Sequence, residues 1–166
     1  MASGEAPALL SPRHWRDPGV LLASGFGSGF LKPAPGTWGS LTAVVLWWGL
    51  LSELPWPLQA TAVAVTFAGG VALADYLARR YGVHDDPAIV IDEFAGQWLA
   101  LLAVPPDLLA MACAFGLFRL LDITKPGPVG WADRRPGGLG GMLDDLLAGG
   151  LVAAVLHLAF LVIGWP

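Results

Sequence analysis

Carboxylates recur where apolar stretches begin or end: Asp75, Asp85, Asp86, Asp92 and Glu93, then Asp122, then Asp144 and Asp145. Two of these sites are adjacent pairs, Asp92-Glu93 and Asp144-Asp145, at the edge of uncharged segments. Carboxylates drawn together repel unless a cation joins them. An all-oxygen donor set that leaves room for water suits Mg²⁺ better than a softer metal. The expectation is a magnesium site in which Asp92, Glu93, Asp122, Asp144 and Asp145 are both the ligands and the catalytic carboxylates. A plainer account is that acids at helix N-termini cap the helix and complement its dipole. That account suits Asp75, Asp85 and Asp86 better.

Cations suited to phosphate stand beside the acids. Arg119, Asp122 and Lys125 are spaced i, i+3, i+6, roughly one helix face. Arg134 follows in the next loop and Lys32 precedes the first apolar stretch. Arginine offers a bidentate fork and lysine a point charge. Glycines such as Gly138 and Gly140 let backbone N–H groups turn toward an anion. Lys125, Arg134, Lys32, Arg119, Gly138 and Gly140 are therefore the expected phosphate-binding residues. Arg13, Arg16, Arg79 and Arg80 need no more than the usual cytoplasmic excess of positive charge.

Other patterns carry little. Cys113 and Arg119 satisfy C-x5-R, but the intervening AFGLF lies in an apolar helix whose N–H groups are already bonded. Gly25-Phe-Gly-Ser-Gly is not a dinucleotide fingerprint. His157 reads as a packed helix residue, and Trp47, Trp48 and Trp165 as lipid-facing or interfacial aromatics.

The elements that position these residues are apolar helices. The 166 residues are 55% hydrophobic and 13% charged, with mean hydropathy +0.63, more apolar surface than a soluble domain of this length buries. A net charge of −4 excludes a nucleic-acid partner, which needs a basic stripe. Uncharged stretches run over 33–52, 54–74, 94–106, 108–118 and 146–166. A span needs about 20 apolar residues, so the first, second and last are long enough. The middle two are expected to form a short helical hairpin turning at Pro105-Pro106. The expected fold is thus all-α, a polytopic membrane bundle of about five helices with Gly/Pro-rich interfacial loops over 25–40 and 125–141. Residues 1–20 are expected to be a flexible tail and 21–166 one membrane-embedded domain. All nine Lys and Arg fall on one side of this topology, which makes that side cytoplasmic. A bundle this small is open to pairing with a second copy.

Several blocks resemble the phosphatidylglycerophosphatase A family of bacterial membrane lipid phosphatases. They are APGTWGS over 34–40, IVIDEFAG over 89–96, FRLLDITKPGP over 118–128, and D-x-x-x-GGLGGMLDD over 133–145, in the family's order. The resemblance implies Mg²⁺-dependent hydrolysis of phosphatidylglycerophosphate to phosphatidylglycerol and phosphate at the cytoplasmic face of the bacterial inner membrane. It also implies roles for Asp92, Glu93, Asp122, Lys125, Asp133, Asp144 and Asp145. Gly141 departs from the larger aliphatic residue expected there. Water activated by metal or carboxylate is the expected nucleophile, with Asp122 as covalent nucleophile second. A lipid head-group transferase would use similar ingredients, but no D-G-x-x-A-R sequence is present. A small ion transporter would place its acids near the bilayer midplane rather than at helix ends.

Overall fold

The computed structural model describes residues 10–83 and 86–163. Asp85 and Trp165 lie outside them. Among the described residues there are seven α-helices: α1 (Pro18–Ala23), α2 (Pro35–Leu46), α3 (Trp56–Tyr81), α4 (Ile91–Leu101), α5 (Leu108–Thr124), α6 (Pro128–Asp133) and α7 (Gly138–Ile163). The all-helical class agrees with the sequence reading; the count of about five does not. α1 and α6 are one-and-a-half-turn helices, α6 inside the Gly/Pro-rich region over 125–141 and α1 just before the one over 25–40, and so escape a search for long apolar runs. Prolines mark their starts instead, each in a first turn where the missing N–H is harmless.

The expected spans also change. α3 and α7 are long and apolar enough to cross a membrane. The expected first span is instead α2 followed by one π-helical turn, Trp47–Leu51. Pro35 begins α2 rather than breaking it, so the last six residues of the expected loop over 25–40 are α-helical. Trp47, expected to face lipid, is buried and stacks at a tilt on Trp98, with 6.3 Å between ring centroids. Trp48 is exposed. α4 runs for 11 residues, about 16 Å at 1.5 Å per residue, roughly half the hydrocarbon thickness.

Local chemistry explains the boundaries. Asp107 caps α5 by accepting from the N–H groups of Leu109 and Ala110, both at 3.0 Å. Gly82, with φ 70°, ends α3 in the left-handed conformation. Asp17 caps α1 through the Gly19 N–H at 2.8 Å and accepts from the hydroxyls of Tyr76 (2.9 Å) and Tyr81 (2.8 Å), which fastens this segment to α3. Burial works to raise the Asp17 carboxyl, but the Tyr81, Tyr76 and backbone hydrogen bonds outweigh it and hold it below the ordinary aspartate value.

α4 is the axis of the bundle, packed by α2, α3, α5 and α7. Phe94, Ala95, Gly96, Gln97, Ala100 and Leu101 are buried along it. The α4–α7 crossing is closest where Gly96 meets Gly149. A Cβ on Gly149 would collide with the Gly96 carbonyl oxygen, and one on Gly96 would stand 2.5 Å from the Asp145 carbonyl oxygen. Two backbones in contact leave no room for a side chain at either position. Gly149→Val is expected to cost about 1–3 kcal/mol through overpacking, whereas Gly116→Ala, whose added Cβ meets nothing within 4 Å, should leave stability unchanged or raise it. Thermal unfolding of the two variants in one detergent checks this pair.

Candidate active site

The acids arrive from three helices. Asp92 and Glu93 occupy the first turn of α4, and Asp122 the last turn of α5. Asp144 and Asp145 lie not at the opening of the last helix, as expected, but in its second turn, because α7 begins at Gly138. That places them about 9 Å in from the helix start, buried to 4% and 3% exposure. Oxygens of Asp92, Glu93 and Asp145 lie within 4.8 Å of one another, as do oxygens of Asp122, Asp144 and Asp145. The structure thus brings together all five expected acids, with Asp145 common to both sets.

The cluster is short of partners. Glu93 Oε2 and Asp144 Oδ1 are buried with no hydrogen-bond partner. Buried carboxylate oxygens this close, some without a donor, fit a hard divalent cation with retained water. The five acids are therefore a donor set suited to Mg²⁺.

Arg119, expected beside phosphate, is engaged with the acids themselves. Its Nη1 lies 2.5 Å from Asp122 Oδ2 and 3.8 Å from Glu93 Oε1, and donates to Ser40 Oγ at 3.3 Å. α2 reaches this point because Gly36 carries no side chain: a Cβ there would collide with Glu93 Oε1 and press on the Arg119 guanidinium. Ser40 is uncharged, so charge patterning gave no signal for it.

Lys125 ends α5 in the left-handed region with φ 45°, uncommon for a residue with a Cβ. The turn aims its ammonium at Asp144 Oδ2, at 2.8 Å, and at Asp133. Burial would lower the lysine pKa, but the hydrogen bonds to Asp133 and Asp144 outweigh it and raise the group above its ordinary value.

A cleft of about 280 Å³ opens over the cluster, lined by Pro35, Gly36, Glu93, Arg119, Asp122 and Lys125 among others. A second hollow of about 270 Å³ shares Asp86, Ile89, Asp92, Asp133 and Gly141 with it and extends between α3 and α7. Each is sized for a head group rather than a whole lipid. Arg135 lines the second hollow, its guanidinium 4.2 Å over the Trp131 ring. The sequence reading favoured its neighbour Arg134, which is exposed and, like Lys32, contributes to neither wall. Gly138 lines the hollow, while Gly140 is buried with its α-carbon against the Arg135 carbonyl, a packing position. Asp86 serves the backbone, accepting from the N–H groups of Leu10 (2.6 Å) and Ala88 (2.9 Å). Asp75 stands by Gly138, outside the cluster.

A bundle that gathers carboxylates for a hard cation beside Lys125 and Arg135 suits chemistry on a phosphorylated substrate. Residues 21–160 match the family phosphatidylglycerophosphatase A. The chain is 44% identical over 152 residues to phosphatidylglycerophosphatase A of Escherichia coli K12, covering 90% of this chain and 87% of the relative. It is 43% identical to the Haemophilus influenzae protein of the same name, covering 85% of this chain and 84% of the relative. A Bacteroides thetaiotaomicron protein provisionally named phosphatidylinositol-3-phosphatase is 42% identical, with 87% and 95% covered. No solved structure matches the chain. The chain belongs to the phosphatidylglycerophosphatase A family.

Lys125 has a raised pKa in the folded protein, so its charge is present below the unfolded value and is lost only as pH rises through the folded one, above about pH 10. Any alkaline limb in the pH–activity profile below about pH 10 should therefore be unchanged in Lys125→Arg. A limb that moves with that substitution would show lysine titration in this range.

Proposed function

We propose that this protein removes the terminal phosphate of phosphatidylglycerophosphate, giving phosphatidylglycerol and inorganic phosphate, with Mg²⁺ as cofactor. The observation that carries the proposal is the convergence of Asp92, Glu93, Asp122, Asp144 and Asp145 in a chain of this family. Asp92, Glu93 and Asp145 would hold one cation, and Asp122, Asp144 and Asp145 would offer a second position. Mg²⁺ there would neutralise charge on the phosphoryl oxygens as the P–O bond breaks.

The protein's own groups do the rest. Lys125, in the cleft, and Arg135, in the adjoining hollow, would meet equatorial phosphoryl oxygens. Arg119 keeps Glu93 and Asp122 oriented instead of reaching for substrate. A carboxylate not engaged by a cation takes the proton of an attacking water. Asp122 as nucleophile is the second reading: a single turnover in ¹⁸O-water that leaves label in an enzyme carboxylate would establish it.

The setting proposed is a bacterial inner membrane, with α3 and α7 crossing the bilayer, further crossings making the chain multi-pass, and the acids at the cytoplasmic face. The two apolar helices support this reading, as does the gathering of Arg79, Arg80, Lys125, Arg134 and Arg135 near the acid-bearing end of the chain's hydrophobic segments.

The deciding assay measures phosphate released from phosphatidylglycerophosphate with Mg²⁺ and with EDTA, beside phosphatidic acid and phosphatidylinositol 3-phosphate. Release that needs Mg²⁺ and favours phosphatidylglycerophosphate is expected; preference for another lipid would reassign the head group. Asp92→Asn, Glu93→Gln and Asp145→Asn should each lower kcat by about 100-fold or more while unfolding normally. Wild-type turnover in any of them would remove that residue from the site.

A further inference from the structure

Beneath the acids lies a polar group that the chemistry above does not use. Gln97 is completely buried, in the central helix, and neither its Oε1 nor its Nε2 has a hydrogen-bond partner. A carboxamide carries two donors and two acceptor lone pairs. Leaving them unmet in an apolar interior costs about 1–3 kcal/mol per group, and Gln97 lies between the buried Phe94, Ala100 and Leu101 of its own helix.

Gln97 is four residues beyond Glu93, so the two share one face of α4, about 6 Å apart along the axis. Glu93 Oε2 is likewise buried without a partner, and so is Arg119 Nε. Arg119 and Glu93 already face one another. α2 packs along the same stretch of α4, since Gly36 abuts Glu93 and the Ala43 carbonyl accepts from the indole of Trp98, the residue after Gln97, at 2.9 Å. Along this stretch α4 carries a buried carboxamide and carboxylate oxygen and α5 a buried guanidinium N–H, each lacking a partner. Internal water bonded to about three polar groups is the ordinary solution to such a set.

We propose that the Gln97 carboxamide binds a buried water that bridges it to Glu93 Oε2 and Arg119 Nε, fixing the orientation of the Glu93 carboxylate from below. Gln97 is then a positioning residue, acting through water on an acid that itself faces the cleft. Groups that orient an active-site ligand in this way are typically worth about 10–100-fold in affinity or activity.

The test has one arm independent of turnover. In metal-free protein, the infrared carboxyl band of Glu93 is identified by difference against Glu93→Gln, and the difference is repeated in a Gln97→Met background. Methionine keeps the volume and removes the hydrogen bonds, and Gln97→Leu serves the same comparison if methionine disturbs folding. The band should shift while the unfolding temperature stays close to wild type. The second arm rests on the phosphatase reading: Gln97→Met should lower kcat at least about 10-fold with KM changed less than about threefold. An unshifted Glu93 band in the folded variant overturns the proposal whatever the activity. So does a shifted band with wild-type kcat, because the water would then not position the acid. Absence of lipid phosphatase activity in the wild type would count against the proposed function alone, with the band still deciding on the water.

Discussion

Mutual repulsion among five carboxylates is the constraint around which this bundle is built. Left free, side chains on α4, α5 and α7 would rotate apart and the helices carrying them would separate. The Gly96–Gly149 contact prevents the second of these, because it fixes α4 against α7 at backbone distance one turn beyond the acids. Gly36 lets α2 close on the Glu93 and Arg119 side chains, with Ser40 accepting a hydrogen bond from Arg119. Positive charge then does what distance cannot: Arg119 stands between Glu93 and Asp122, and Lys125 between Asp133 and Asp144. Neither cation balances Asp92 and Asp145, which is where an external ion has most to offer.

Two kinds of glycine serve this arrangement, and they differ in what they do. Gly36, Gly96 and Gly149 are needed for their missing side chains, since a Cβ at each would strike backbone or a site residue. Gly82 is needed for its conformation, with φ 70° and open space around it. Lys125 adopts a similar left-handed turn without the freedom of glycine. Its two carboxylate partners offset that cost, and the conformation is what separates the ammonium from the helix it terminates.

The chemistry was more legible in the sequence than the architecture. Adjacent acids at the edges of apolar runs are visible as charge patterning, and Asp92, Glu93, Asp122, Asp144 and Asp145 do meet. Hydropathy alone also marks α3 and α7 correctly. It marks the run over 33–52 too, where α2 and the π-helical turn that follows it form continuous helix over 35–51; it misses α1 and α6, which are too short to register. Partners were harder to read than positions. Arg119 looked like a phosphate ligand because its spacing to Lys125 suggested a shared face; the left-handed turn at Lys125 breaks that face, and Arg119 turns inward. Ser40 and Gln97 carry no charge and no periodic signal; Ser40 closes the family-like block over 34–40, but only packing shows its place beside Arg119.

The central helix has 11 residues while the two longest helices beside it have 26 each. A bundle whose middle is shorter than its walls is concave at both ends. One hollow holds the acids. The other, at the far end of α4, is framed by Trp56, Leu102, Val104 and His157. Only the length of α4, about 16 Å, separates the two hollows.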